Sequence, residues 1–342
     1  MKPIETIQTL IATKDQNDYS VIRQMNITTD CIMVNQTDGN ISTGDAVIDG
    51  KNVTVINSST KSIGASRNLA LDAASADCVL FADDNVVYYD DVAEKIHDAF
   101  NAFPKADVII FSSEENDGES RTISQRAERK HIFNSLKYPT YIVAARRERL
   151  LKRGVRFSEL FGDGCHYEIG NDTIFLADCF KKGLRVYSHC YKIAAKGGFL
   201  NADDGNDVQS ADNTVPADAQ NDTASEDNTD IQQKNNENVS TGDTISDIKE
   251  EIQELFSDKS EQDGAQQDDN ADLFYSDKFF FDKGALYRCV FGIGAYAAIL
   301  HYAKKYSHES GVSESKIKRN MFKGSEDYFA KKRENKRNKS GR

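Results

Sequence analysis

The sequence lacks several patterns that would indicate a zinc-binding, secreted or membrane-spanning protein. None of its six cysteines forms a C-x-x-C pair and no Cys/His cluster has zinc-ligand spacing, so we expect reduced, buried cysteines in a cytosolic protein. No uncharged apolar run reaches about 18 residues, which disfavours a spanning helix. The first residues show no charged segment followed by an apolar one, so no secretory signal is predicted.

Two catalytic motifs are absent as well. Without G-x-x-x-x-G-K-[ST], a P-loop nucleotidase is not expected, and without G-x-S-x-G the sequence has no nucleophile elbow. The chemistry must therefore be sought in carboxylates and basic residues.

Acidic charge is concentrated in one segment of the 342-residue chain, whose net charge is −12. Residues 201–272 contain 21 Asp/Glu and 3 Lys/Arg, and Phe256 is their only aromatic. Such a composition cannot bury enough apolar surface to offset chain entropy, which predicts a disordered acidic insertion. The other 270 residues carry a net charge of +6.

Alternating strand and helix patterns predict an α/β sandwich with a mostly parallel central sheet. Strands are predicted at 4–13, 30–35, 53–57, 78–82, 107–111, 138–145 and 185–191. A D-x-x-E start at Asp91 resembles a capping box and begins a helix, and a second helix over 173–182 is closed by Gly183. Ligands of such sheets bind beyond the carboxyl ends of the strands.

The C-terminal part is predicted to be helical, with residues 273–315 packing on the catalytic domain and residues 316–342 forming a basic tail. The tail contains 11 Lys/Arg and 3 Asp/Glu. One interpretation is peripheral contact of 316–342 with an anionic membrane, aided by Met321, Phe322, Tyr328 and Phe329. The other is a solvated, disordered tail beside an ordinary core helix.

A carboxylate pair, Asp83 and Asp84, directly follows the apolar strand 78–82 in the sequence VLFADDN. A hard divalent cation such as Mg²⁺ or Mn²⁺ needs oxygen ligands and tends to bring a diphosphate with it. The alternative is a pair of turn formers that cap the next helix. Because Asp90 and Asp91 already supply a cap there, the metal interpretation is favoured.

The segment SSTKSIGASRN precedes a helix and has two interpretations. The helix N-terminus could bind phosphate, with Lys61 or Arg67 adding positive charge. The segment could equally be the start of an ordinary Ser/Thr-capped helix, which is the favoured interpretation when the segment is taken alone.

Asp172, in the sequence EIGND, is a candidate general base at the start of a helix. The alternative is a helix N-cap. Gly162, Gly164 and Gly170 predict a flexible loop that could close over a substrate, which favours the functional interpretation.

Taken in order, these segments resemble the inverting family-two glycosyltransferases with the GT-A fold, of the bacterial surface-polysaccharide type. The resemblance covers roughly residues 4–199 and 273–325. It rests on ATKDQ, VNQTD, TKSIGASRNLAL, VLFADDN, FGDGCHYEIGNDTIFLADCFKKGLRVY and FFFDKGALYRCVFG. It implies a nucleotide-sugar-binding catalytic domain over residues 1–200.

The resemblance also implies roles for individual residues. Asp84 and Asn85 would hold a divalent metal, Mn²⁺ or Mg²⁺, and Asp172 would be the general base. The family's Glu that precedes this Asp is replaced by Asn171. The donor-binding residues would be Thr13, Asp38, Lys61, Arg67, Asn68 and Asp83.

The expected function is inverting, metal-dependent sugar transfer from a nucleotide-sugar, a UDP-sugar, to a hydroxyl of a polysaccharide or lipid-linked acceptor. We expect a cytoplasmic enzyme, peripheral at the inner face of the membrane, with no nucleic-acid partner. Two alternatives stay open. One is a non-catalytic binding or scaffold protein with the GT-A fold, motivated by Asn85 and Asn171, and the other is a nucleotidyltransferase.

Overall fold

The computed structural model describes residues 2–39, 41–115, 120–121, 127–131, 138–196 and 275–340. The predicted acidic insertion at 201–272 lies outside the described residues.

The described strands form an 11-stranded sheet. In chain order they are β1 (Ile7–Lys14), β2 (Asp30–Gln36), β3 (Ser42–Ile48), β4 (Lys51–Ser58), β5 (Cys78–Asp83), β6 (Val86–Tyr88), β7 (Val108–Glu115), β8 (Ser120–Arg121), β9 (Glu128–Arg129), β10 (Val143–Arg146) and β11 (Val186–Lys196). The helices are α1 (Ser20–Gln24), α2 (Ile63–Ala73), α3 (Val92–Ala102), α4 (Arg147–Arg153), α5 (Asn171–Lys181), α6 (Asp277–Phe291), α7 (Ala295–Ser310) and α8 (Glu314–Ser340).

The sheet is mostly parallel, as predicted, and its main path has the order β3-β4-β2-β1-β5-β10-β7-β11-β6. Strands β4, β2, β1 and β5 are parallel neighbours, and β7 is parallel to β11. Strands β3, β10 and β6 run antiparallel to their partners. The carboxyl ends of β1, β2 and β5 therefore meet at one edge of the sheet.

The centre of the sheet is buried because its strands are continuous apolar runs. Every residue from Cys78 to Ala82 of β5 is buried, and Phe81 packs edge-on against Phe157 and Phe175. Burial on both faces holds β5 rigidly, so the polar residues that follow it have a fixed position.

Among the local predictions, the start of α3 and the strand at 138–145 differ from the structure. Asp91 is the N-cap residue of α3, but its side chain accepts no capping hydrogen bond and instead pairs with Lys95 at 2.9 Å. The capping-box prediction is therefore wrong. The strand predicted at 138–145 begins with a 3₁₀ turn at Thr140–Ile142, and only Val143–Arg146 joins the sheet.

A second apolar cluster joins α6, α7 and α8 to α5 and to the segment that carries Phe161 and Tyr167. Helix α8 contributes Ile317, Met321 and Tyr328, which lie on one buried face. The interpretation of residues 316–342 as a disordered tail is therefore wrong for 316–340, which belong to α8. Met321 and Tyr328 face protein, so they are unavailable for the membrane contact predicted for them.

Helices α6 and α8 approach each other backbone to backbone. A Cβ added to Gly284 would lie 1.8 Å from the carbonyl oxygen of Met321, and one added to Gly324 would lie 1.8 Å from that of Phe281. The contact therefore needs glycine on both helices.

By length and composition alone, Asp277–Ser310 could cross a membrane, and 39% of its most apolar window is buried in this structure. The stretch is interrupted at Gly292–Gly294 by a 3₁₀ turn, where Gly292 has φ +58°. Asp282, which is buried, pairs with Lys278 within the same stretch. The stretch Asp277–Ser310 therefore forms two helices that pack on a folded domain.

Candidate active site

A cavity of about 480 Å³ opens at the carboxyl ends of β1, β2 and β5. The first turn of α5 and the segment around Gly162 close its other side. Its volume is in the range that small-molecule sites occupy. Of the predicted site residues, it brings together Thr13, Arg67, Asp83, Asp84, Asn85 and Asp172.

Thr13 and Asp84 meet because β1 and β5 are paired in parallel with Ala12 opposite Asp83. The Thr13 hydroxyl donates a hydrogen bond of 2.7 Å to Oδ2 of Asp84. Within the described part of the chain, no hydrogen bond is made to Oδ1 of Asp84. One carboxylate oxygen is thus oriented by the protein and the other is available to a ligand.

The residues present suit a divalent cation that arrives with a diphosphate. Asp84 and Asn85 both line the cavity and offer oxygen ligands. Among the described residues, no group of three or more His, Cys, Asp or Glu side chains forms a metal cluster. Mg²⁺ typically takes one or two carboxylates and completes its coordination with water and substrate phosphates, which fits this donor set.

Arg67 lies at the centre of the site and connects two of its carboxylates, Asp83 and Asp172. Its Nη2 donates to Asp83, while its Nη1 donates to Asp172 and to Asn171, both at 2.8 Å. The side chain is 5% exposed, and its guanidinium lies 5.1 Å from the ring centre of Phe157. Burial alone would lower the pKa of Arg67, but the charges of Asp83 and Asp172 outweigh it and raise that pKa above its ordinary value.

Asp172 is not a helix cap. Helix α5 begins at Asn171, and its N-cap position is Gly170, which makes no side-chain bond. Oδ1 of Asp172 accepts hydrogen bonds from Arg67 and, at 2.7 Å, from the Thr140 hydroxyl. Oδ2 has no hydrogen-bond partner among the described residues. An oriented carboxylate with one open oxygen on a cavity is the arrangement a general base requires.

Asn171 makes contacts that a glutamate could not make. Its amide nitrogen donates to the carbonyl oxygens of Ser158 and Phe161 at 2.9 and 2.8 Å, while its oxygen accepts from Arg67. A carboxylate has no donor for those carbonyls. The residue is buried and holds the 158–161 segment against α5.

The three glycines before α5 do not form a loose loop, so the prediction of a flexible lid is wrong. A Cβ on Gly164 would lie 1.8 Å from the Lys61 carbonyl oxygen, and one on Gly162 would lie 2.7 Å from Ile63. Gly162, Gly164 and Gly170 all have positive φ. Gly162 and Gly164 allow this segment to pack tightly against the start of α2, whereas Gly170 packs against Leu286 of α6.

The start of α2 does not offer a phosphate site. The Ser62 hydroxyl caps the helix through the Ala65 amide at 3.3 Å, and the Ile63 amide donates to the Asp163 carbonyl. The prediction of an ordinary Ser-capped helix is confirmed, and two of the amides that the phosphate interpretation needs are already used within the protein.

Three predicted donor-binding residues lie outside the cavity lining. Lys61 and Asp38 form an exposed ion pair with each other. The amide of Asn68 is used in two hydrogen bonds to the backbone of Phe157, at 3.0 and 2.9 Å. Asn68 therefore positions Phe157, on which the Arg67 guanidinium packs, whereas Lys61 and Asp38 are exposed.

The structure adds lining residues that the sequence reasoning missed. Lys14 and Lys196 stand at the ends of β1 and β11, and Tyr138 and Glu168 also line the cavity. Lys196 was missed because the last strand was predicted to end at residue 191, five positions early. Lys14 could have been predicted as a cavity residue, because it directly follows Thr13 at a strand end.

Residues 19–160 match the family model described as glycosyl transferase family 2. On this match, residues 19–160 form a domain of the family 2 glycosyltransferases, and the sheet has the GT-A arrangement. The matched residues include Arg67 and the Asp83–Asn85 segment of this glycosyltransferase, whereas Thr13 and Asp172 lie outside them. The match favours a glycosyltransferase over the nucleotidyltransferase alternative. No curated protein sequence matches the chain.

Solved structures of TarS from S. aureus are similar to this glycosyltransferase in fold. The crystal structure of TarS residues 1–349 has a TM-score of 0.52 at 12% identity, over 95% of this chain and 91% of that one. The complex of the same protein with UDP has a TM-score of 0.53, with the same identity and coverage. A third structure holds UDP-GlcNAc, with a TM-score of 0.50 over 95% of this chain and 92% of that one.

Proposed function

We propose that the protein transfers a sugar from a UDP-sugar to a hydroxyl of a polysaccharide or lipid-linked acceptor, with inversion and with a divalent cation. The observation that carries this proposal is the pair of oriented carboxylates, Asp84 and Asp172, in one cavity. Each has one oxygen held by the protein and one that has no hydrogen-bond partner among the described residues.

Inverting transfer is a single displacement at the anomeric carbon. The acceptor oxygen forms the new bond to that carbon as the bond to the diphosphate oxygen breaks, and the acceptor proton moves to a base. Oδ2 of Asp172 would receive this proton, while Arg67 and Thr140 hold Oδ1 in place. A bound divalent cation supplies positive charge that stabilises the departing diphosphate.

The remaining groups orient these two carboxylates. Thr13 fixes Asp84, and Arg67 keeps Asp83 and Asp172 at a set separation. Lys14 and Lys196 line the same cavity, which suits an anionic donor. The choice of a UDP-sugar is supported by the UDP and UDP-GlcNAc bound in the TarS structures of the same fold.

The test is a thermal-shift series with UDP-sugars in the presence and absence of Mn²⁺, followed by measurement of UDP release. We expect a donor to raise the Tm in a metal-dependent way, because binding to the folded state stabilises it by mass action. Asp84→Ala should abolish both the metal-dependent shift and UDP release. Asp45→Ala, on the exposed strand β3, is the control and should retain both.

Donor binding without transfer or hydrolysis in the wild-type protein would instead support the non-catalytic scaffold. Wild-type turnover in Asp84→Ala would refute the metal assignment.

We also propose the domain organisation 1–200, 201–272, 273–315 and 316–342, with catalysis in the first part and a cytoplasmic location. The six free cysteines fit a reducing compartment. Peripheral contact of the C-terminal basic segment with an anionic membrane belongs to the same proposal. Deletion of residues 203–270 should leave a folded protein with unchanged donor binding, because that composition contributes little to a core.

A further inference from the structure

Exposed apolar side chains are concentrated at the turn between α6 and α7 and on the adjoining face of α8. Seven large apolar side chains are exposed in the described residues, and four of them lie here. Ile293 is 86% exposed, Leu300 50%, Tyr296 45% and Phe329 38%. Ile293 sits at the tip of the turn, where nothing within the described chain covers it.

Arginine side chains connect the two aromatic members of this apolar group. The guanidinium of Arg288 lies 5.5 Å from the ring centre of Tyr296 and 4.8 Å from that of Phe329. The guanidinium of Arg333 lies 4.2 Å from the ring centre of Phe329. We call the set Ile293, Tyr296, Leu300, Phe329, Arg288 and Arg333 the aromatic–arginine surface.

The charge around this surface is predominantly positive. Arg337 lines the same shallow groove between α7 and α8, and Glu326 and Glu334 are its acidic members. Over its whole length, α8 contains ten Lys/Arg and four Asp/Glu. Lys304, one turn after Leu300 on α7, is exposed as well.

An apolar tip surrounded by arginines on aromatic rings has the chemistry of an interfacial membrane contact. Apolar side chains enter the boundary between headgroups and acyl chains, aromatic side chains lie at headgroup level, and arginines bind anionic lipid phosphates. The stretch Asp277–Ser310 is apolar enough to be a membrane-span candidate although it is folded here as two helices. Its exposed large apolar residues, Ile293, Tyr296 and Leu300, all belong to this surface.

We propose that the aromatic–arginine surface docks the protein on an anionic lipid surface. This sharpens the proposed peripheral contact by placing it on Ile293, Tyr296, Leu300 and Phe329 rather than on the buried Met321 and Tyr328, and it rests on that part of the proposed function. A second copy of this chain is a poorer occupant. Two-fold pairing would place two surfaces of net positive charge against each other, since the groove holds Arg288, Arg333 and Arg337 but only two glutamates.

The test is co-sedimentation of the full chain with vesicles, without any nucleotide-sugar. Vesicles of phosphatidylglycerol and phosphatidylcholine should pellet the protein in a salt-sensitive way, and vesicles of phosphatidylcholine alone should not. The double variant Ile293→Ser with Leu300→Ser should weaken binding by about tenfold or more, because it removes two inserted apolar side chains. The matched control is Ile41→Ser with Val47→Ser, since both residues are 71% exposed but lie at strand β3.

The charge component has its own pair of variants. Arg333→Glu should weaken binding to the anionic vesicles several-fold, whereas Lys105→Glu, exposed after α3, should not. Equal pelleting of the Ile293/Leu300 variant and the wild type would overturn the proposal. So would a wild-type dimer in light scattering that the same double variant dissociates, because the surface would then be a protein interface.

Donor-dependent UDP release, measured on the same preparations without vesicles, reports the proposed catalytic function separately. Loss of vesicle binding with retained UDP release would leave the catalytic proposal intact. Vesicle binding without UDP release would support the docking surface and contradict only the catalysis.

Discussion

Arg67 donates a hydrogen bond to Asp172 at 2.8 Å across 105 positions of sequence, and the same guanidinium binds Asp83 at the end of β5. The proposed base and the proposed donor-binding carboxylate are therefore held by one buried cation. A displacement reaction needs its base and leaving group at a fixed separation. Because Asp83 and Asp172 bind the same planar guanidinium, the geometry of that group sets the distance between the two carboxylates.

Replacing Arg67 should destabilise the fold as well as the site. Arg67→Met leaves two carboxylates without their shared cation, and we expect a loss of about 3 kcal/mol in the free energy of unfolding, measured with urea. Arg23→Met removes an exposed pair with Asp49 and should cost less than about 1 kcal/mol. Equal losses in the two variants would contradict the central role of Arg67.

Asp172→Asn should reduce kcat by about 10²–10⁴-fold, with the KM for the donor changed only slightly. The amide keeps an oxygen for Arg67 and Thr140 but cannot accept a proton. The control is Asp178→Asn, on the same helix, which loses only a surface pair with Lys182. A wild-type kcat in Asp172→Asn, with chemistry shown to be rate-limiting, would exclude this residue as the base.

Gly164→Ala should destabilise the protein by about 2–4 kcal/mol, because its Cβ would collide with the Lys61 carbonyl and its φ is +74°. Gly183→Ala is a matched control with φ +73° and open space around it, and it should cost about 1 kcal/mol. Thermal unfolding compares the two. Similar costs would mean that the segment around Gly164 is loose after all.

Asp107 makes stability depend on pH in the acid range. Its buried carboxylate accepts hydrogen bonds from Arg149 at 2.7 Å and from the amide and guanidinium of Arg185. Burial would raise the pKa of Asp107, but these donors lower it below its ordinary value. A lowered pKa stabilises the fold at neutral pH, and this stabilisation is lost as the pH falls below about 4.

Asp107→Asn should therefore cost about 2–4 kcal/mol at pH 7, and the difference from the wild type should shrink at acid pH. Urea unfolding between pH 7 and pH 2 measures this. Asp49→Asn, an exposed partner of Arg23, serves as the control and should show little difference at any pH. If the difference in the free energy of unfolding between Asp107→Asn and the wild type stayed constant with pH, the lowered pKa of Asp107 would not be the cause of the pH dependence.

The parallel part of the sheet could be predicted because its strands are buried apolar runs that end in polar residues. The same pattern correctly brought Thr13 and Asp84 to one cavity, since parallel strands share a carboxyl edge, whereas Asp172 reaches the cavity from the first turn of α5. Strand β3 was missed because most of its residues are exposed and show no apolar alternation. The Asp49-Gly50 turn, with φ of +49° and +78°, was a hairpin signal that could have identified it.

Other features depend on contacts between distant segments, which no local pattern shows. Asn171 binds Arg67, 104 positions away, and Gly164 packs against Lys61, more than 100 positions away. Helix α8 was not predicted because most of its residues are charged or polar. The helical spacing of Ile317, Met321 and Tyr328 could have indicated it.

The close contact at Gly284 and Gly324 allows α8 only one position along the axis of α6. A slide of α8 by one helical turn would bring Asn320 or Tyr328 to the place where only Gly324 can pass the carbonyl of Phe281. Arg288 on α6 and Phe329 and Arg333 on α8 consequently keep their alignment through backbone contact, independent of their own side-chain rotamers. Replacing either glycine with a larger residue would displace α8 along α6. Phe329 and Arg333 would then lose their alignment with Arg288 in the aromatic–arginine surface.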